Sequence, residues 1–219
     1  MVSNPILHNP DVLMRLLALL LFLSFYHILP AQKHLIFLHN RWVEDHSLDE
    51  AHPDFGICEW DAITRYFKTE GFQLIADRRP AGTDARLYAQ KVVQQIDSLI
   101  QDGVAPADIT VVGTSKGGFI AMFTASLLQN PAVNFVFIGC CHERLLAEQP
   151  DLQFCGRILS IFERSDEWST SCRKAKNSSQ SAIPVFKEIK LKTGLRHGFL
   201  FKALPEWLLP TVKWAKKPQ

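Results

Sequence analysis

The segment Gly113-Thr114-Ser115-Lys116-Gly117-Gly118 lies between an apolar, β-branched run (DITVV, Asp108 to Val112) and the helical pattern GGFIAMFTASLL. A serine among small residues at a strand-to-helix turn is the G-x-S-x-G arrangement of a nucleophile elbow. The chemistry dictates the neighbours. Ser115 must stand on a tight, strained turn, so Gly113, Gly117 and Gly118 leave room around it. The helix beginning beneath it brings partial positive charge and free backbone N–H groups. The amide of Lys116, the residue after the nucleophile, is one donor for an oxyanion. A phosphate loop would need G-x-x-x-x-G-K-[ST], and Ser-Lys-Gly-Gly is the wrong order. The dinucleotide pattern G-x-G-x-x-G is missing too.

A nucleophilic serine needs a base and an orienting acid. His197, in Gly194-Leu195-Arg196-His197-Gly198-Phe199, follows the strand-like run FKEIKL; His8 and His27 fall in the N-terminal leader, residues 1–31, and His34 starts a strand. Asp166 follows the run RILSIF in Glu163-Arg164-Ser165-Asp166-Glu167, with Glu163 as its rival nearer the strand end. Ser115 would attack a carbonyl, His197 would take and return its proton, and Asp166 would orient the imidazole.

These residues must be brought together by the elements before them. Strands are expected at His34 to Leu38, Phe72 to Ala76, Asp108 to Val112, Val133 to Ile138, Arg157 to Phe162 and Val185 to Leu191. Helices are expected over Cys58 to Glu70, from Thr83-Asp84 to Gly103, over Lys116 to Gln129, and from Pro205 to about Ala215. Continuous apolar strands alternating with helices imply a mostly parallel sheet covered on both faces, a three-layer α/β/α sandwich. In such sheets ligands bind beyond the carboxyl ends of the strands. Ser115, Asp166 and His197 all follow strands.

The elbow, and the chain order Ser115, Asp166, His197, make residues 33–214 resemble the α/β-hydrolase superfamily, and most closely a compact, lidless bacterial serine hydrolase. The resemblance implies acyl transfer to water with a small-molecule acyl substrate, and neither a metal nor an organic cofactor. The second oxyanion donor would come from the loop after the first strand, Leu38-His39-Asn40-Arg41-Trp42, which resembles the His-Gly segment found there in many such enzymes. Asn40 stands where glycine is usual, and asparagine is among the residues that best tolerate positive φ. The donor is the N–H of Asn40 or of Arg41. The long segment that follows, Arg41 to Glu59, departs from a short oxyanion loop. It reads as a charged surface loop bordering the acyl pocket, with Trp42 and Phe55 as walls and Glu44 or His46 touching substrate. About 18 residues separate Ile138 from Arg157, too few for a multi-helix lid. A carboxylic ester or thioester is the expected substrate. A serine peptidase or amidase using the acids of the 41–59 loop is the alternative, and a non-catalytic ligand-binding relative a third.

Composition narrows the rest. The 219 residues are 47% hydrophobic with a formal net charge of +2, which excludes a largely disordered chain and a nucleic-acid binder steered by bulk charge. Leu16 to Leu29 (LLALLLFLSFYHIL) is short for a bilayer crossing but suits the apolar region of a signal peptide, with Arg15 as the positive flank and a cut after Ala31. Residues 1–31 therefore read as an export leader to the periplasm or cell exterior, or as a membrane anchor through 16–29. Residues 215–219 read as a basic tail. Among the five cysteines, Cys155 and Cys172 flank one strand–loop region and form the candidate disulfide, while burial is expected for at least one of Cys140 and Cys141.

Overall fold

The computed structural model describes residues 32–217; the leader or anchor reading of 1–31 lies outside them. In chain order the elements are β1 (His34–Leu38), α1 (Arg41–Asp45), β2 (Ala51–His52), β3 (Gly56–Ile57), α2 (Trp60–Thr69), β4 (Gln73–Ile75), α3 (Ala85–Gln101) and β5 (Ile109–Thr114). They continue with α4 (Lys116–Leu128), β6 (Asn134–Ile138), α5 (Glu143–Ala147), β7 (Arg157–Glu163), α6 (Arg173–Ser178), β8 (Phe186–Leu191) and α7 (Pro205–Lys216). Short 3-10 turns occupy Pro106–Asp108 and Arg196–Phe201.

Six strands form one sheet in the order β4-β1-β5-β6-β7-β8, and each neighbouring pair is parallel. Side chains along a strand alternate between faces, and the two cores divide accordingly. Leu35 and Phe37 join Trp60, Ile63 and Phe67 of α2 and Trp207, Leu208 and Val212 of α7. Ile36 and Leu38 join Ala89, Val92 and Ile96 of α3 and Ile120, Ala121 and Ala125 of α4. Both faces of the sheet are therefore covered, as the unbroken apolar strands require. Asp84 starts α3 by accepting the Leu87 amide at 2.8 Å, as its sequence position at the head of that helix suggests. The chain leaves β1 outward to β4 and returns to β5 on the other side of β1. The carboxyl ends of β1 and β5 thus meet at a topological switch point, where open sheets bind ligands.

Three expectations are corrected. The disulfide joins Cys141 to Cys172, while Cys155 is buried with a free thiol. Cys141 follows β6, and its carbonyl accepts the Thr170 amide at 2.6 Å, which draws the loop after β7 across to it. The C-terminal helix runs through Lys216 with Ala215 buried, so 215 and 216 belong to α7 rather than to a tail. The 41–59 segment is also not all loop: it holds α1 and the antiparallel β2–β3 ribbon.

The disulfide closes a separation of 31 residues, worth about 3–4 kcal/mol in the loop-entropy account. Cys172→Ser should lower stability by that amount and also reduce turnover, because the bridged loop carries Asp166. Thermal unfolding with and without reductant checks this; a variant as stable as the parent would mean that the bridge constrains nothing.

Candidate active site

Ser115 sits at φ +49°, ψ −118°, backbone that side-chain-bearing residues rarely adopt. Two hydrogen bonds hold it there: its amide donates to the Ile138 carbonyl at 2.9 Å, and its carbonyl accepts the Phe119 amide at 3.0 Å. The flanking glycines have steric reasons. A Cβ on Gly113 would strike the Gly117 carbonyl, one on Gly117 would strike the Leu38 carbonyl, and one on Gly118 would meet the Cys140 side chain at 2.6 Å. Cys140 and Cys141 are both buried; Cys140 is a free thiol packed on Gly118, while Cys141 is in the disulfide.

The neighbouring strand ends deliver the partners. His197 Nε2 lies 2.9 Å from Ser115 Oγ, and His197 Nδ1 lies 2.7 Å from Asp166 Oδ2. Asp166 also accepts the Ser169 hydroxyl at 2.5 Å and the Trp168 amide at 2.9 Å. Burial works to raise the Asp166 pKa, but the bond and charge of His197, with those two donors, outweigh it and hold the carboxyl below its ordinary value. Glu163 is occupied elsewhere. Its oxygens accept the amides and hydroxyls of Ser165 and Thr193 at 2.8–3.1 Å, and it does not join the Ser115–His197–Asp166 chain.

On the other side of Ser115, the loop after β1 brings up Asn40 and Arg41. Asn40 does not use positive φ. It lies at φ −66° as the N-cap of α1, its side-chain oxygen accepting the Val43 amide at 3.1 Å. Capping explains asparagine where glycine was the model. Arg41 opens α1 and Lys116 opens α4, so each contributes a first-turn amide that has no partner within its helix. Asn40, Arg41, Ser115 and His197 border one cleft.

His39, just before, is buried and neutral. Its Nε2 accepts the Arg79 amide at 2.9 Å, so its Nδ1 carries the proton and donates to the Asn40 carbonyl at 2.7 Å. Burial, then the Arg79 charge, pulls its pKa down to about 3. The unfolded chain takes up this proton near pH 6.5 and the folded chain only near 3. Acid therefore favours the unfolded state in that window. Stability should be full above about pH 6.5 and fall by up to about 4–5 kcal/mol as pH drops towards 3. Unfolding midpoints from pH 7 to 4 test this; His39→Gln, which does not titrate, should show a shallower decline.

The cleft, about 330 Å³, is walled by Trp42, His52, Phe55, Trp168 and Phe201. Trp42 stacks on His46 at 3.6 Å, and His46 Nδ1 bonds Glu50 at 2.7 Å. Glu44 is a correction. It does not reach substrate: its side chain is fully buried, held by Arg79 and Lys116. One turn of α1 points it inward while Asp45 and His46 line the cleft. A second cleft, about 350 Å³, also borders Ser115 and is lined by Ala85, Lys116, Phe119, Cys140 and Leu145; Arg41, Ser115, Trp168 and His197 border both. Sequence reasoning did not single out Trp168, Ser169 or Arg79. Trp168 and Ser169 stand within three residues of Asp166, and that proximity was the only signal.

The fold is that of the α/β hydrolases. Dienelactone hydrolase from Anabaena variabilis superposes with a TM-score of 0.55 at 15% identity, covering 85% of this chain and 86% of that one. SOBER1 from Arabidopsis thaliana gives 0.54 at 15%, covering 85% and 98%. A protein of unknown function from Agrobacterium tumefaciens gives 0.54 at 19%, covering 84% of each chain. No protein-family model matches the sequence, and no curated protein matches it.

Proposed function

We propose that this chain is a serine hydrolase that cleaves a carboxylic ester or thioester through an acyl-enzyme. The observation that carries the reading is the continuous relay from Ser115 Oγ through the His197 ring to Asp166, on a serine held at strained φ. Ser115 Oγ attacks the carbonyl carbon as its proton passes to His197 Nε2. Negative charge gathers on the carbonyl oxygen against the amides of Lys116 and of Asn40 or Arg41. The tetrahedral species collapses, the C–O or C–S bond breaks, and His197 gives its proton to the departing alcohol or thiol. Water then repeats the sequence with His197 as base and releases the acid and free Ser115.

Two clefts of modest size, both bordered by Ser115 and His197, suit short or medium groups around the scissile bond. A peptidase reading needs a carboxylate for the substrate's α-ammonium. Glu44 is buried against two cations, Asp45 is paired with Arg41 at 2.8 Å, and Asp49, Glu50 and Asp54 line neither cleft, which favours the ester. With this goes the reading of residues 1–31 as an export leader or anchor. Turnover of p-nitrophenyl acetate, butyrate and octanoate is compared with that of aminoacyl p-nitroanilides. Faster hydrolysis of a short ester is expected, and a preference for the anilides would replace the esterase with a peptidase.

A further inference from the structure

Glu44 occupies an unusual position for a carboxylate. Its side chain has no solvent exposure, yet it stands in α1, which opens at Arg41, and pairs with Lys116, the residue after Ser115. Oε1 accepts Lys116 Nζ at 2.5 Å and the Thr83 amide at 3.0 Å, while Oε2 accepts Arg79 Nε at 3.1 Å. Arg79, itself buried, passes the contact on. Its Nη2 donates to the His39 carbonyl at 2.5 Å, and its amide to His39 Nε2 at 2.9 Å. Arg78 adds three bonds to the carbonyls of α1 and its cap: Nε and Nη2 donate to Val43 O at 3.3 and 3.0 Å, and Nη2 donates to His46 O at 2.7 Å. The β1–α1 turn is thereby fastened to the segment after β4, and through Glu44 to the residue that follows Ser115.

We infer that Glu44 is a positioning residue that fixes the separation of the two oxyanion donors by tying α1, which opens at Arg41, to Lys116 at the head of α4. The inference rests on the serine-hydrolase reading above. Donors aimed at a developing charge act only at the right spacing, and each comes from a different strand end. Backbone pairing joins β1 to β5 only as far as Leu38 and Gly113. Beyond those residues the Glu44–Lys116 ion pair continues the connection. Two cations share one carboxylate, so the cluster also keeps a net positive charge behind the site where negative charge forms.

The test uses two variants. Glu44→Gln keeps the shape but leaves buried Arg79 without a counter-charge, so it is expected to destabilise the fold. Lys116→Met cuts the tether, keeps the Glu44–Arg79 pair and retains the Lys116 backbone amide, so it is the decisive variant. For Lys116→Met on the best ester, kcat should fall about ten- to a hundredfold, with KM within about twofold. The inhibition constant of a boronic acid, which forms a tetrahedral adduct on the serine, should rise by the same factor. Lys116→Arg should recover most of kcat. A purely structural ion pair would lower the melting temperature and leave kcat and boronate affinity of the folded enzyme unchanged; that result overturns the inference alone. A folded wild type without hydrolysis or serine adduct overturns the hydrolase reading and the inference with it.

Discussion

Replacing Ser115 by glycine should give a protein that is inactive and more stable than the parent. The serine adopts φ +49°, ψ −118°, where a Cβ is crowded by its own backbone. Such strain costs about 1–3 kcal/mol, and glycine returns about 0.5–1 kcal/mol of that in lost chain entropy. A net gain of about 1 kcal/mol remains, or roughly 2–4 °C in melting temperature for a domain of this size. Hydrolysis should fall about 10⁴- to 10⁶-fold, since the nucleophile is gone. Ser115→Ala separates the two effects: it removes the same hydroxyl and keeps the strained φ, so it should be equally inactive without the gain in stability. Equal melting temperatures for the two variants would show that no strain is stored at the elbow.

The second large effect separates two carboxylates only three residues apart. Asp166→Asn should cut kcat about 10⁴-fold. Its amide cannot hold the His197 tautomer that leaves Nε2 free to take the Ser115 proton, nor stabilise the charged ring. Glu163→Gln should leave kcat within a few-fold but cost about 1–3 kcal/mol of stability. Glu163 accepts four hydrogen bonds from Ser165 and Thr193, and a glutamine NH₂ would face two of those donors. One substitution is read in rate and the other in melting temperature. If the rate loss followed Glu163, the acid would be Glu163 and the Asp166–His197 contact incidental.

The positions of Ser115, Asp166 and His197 were legible in the sequence because each depends on local pattern. A β-branched run before Gly113 and an apolar helix after Gly118 define the turn without help from distant residues. Parallel topology then places whatever follows each strand at the same edge, which brings Asp166 and His197 to the serine. Choosing Asp166 over Glu163 required coordinates, since Glu163 is absorbed by Thr193, 30 residues away. Glu44 was misplaced for the same kind of reason. A glutamate in a charged run looks solvent-facing, and its partners at 79, 83 and 116 compensate its burial. The cysteine pairing failed likewise, because the loop after β7 folds back on Cys141 through a backbone bond that no sequence spacing encodes. Asn40 was read against a glycine pattern, whereas its side chain does a different task, capping α1.

The most direct test of the account is labelling of the purified protein with a fluorophosphonate, followed by peptide mapping of the adduct. The account predicts a single stoichiometric adduct on Ser115, formed far more slowly in Asp166→Asn and absent in Ser115→Gly. A folded protein that gives no adduct, or one whose adduct maps to another residue, would contradict it.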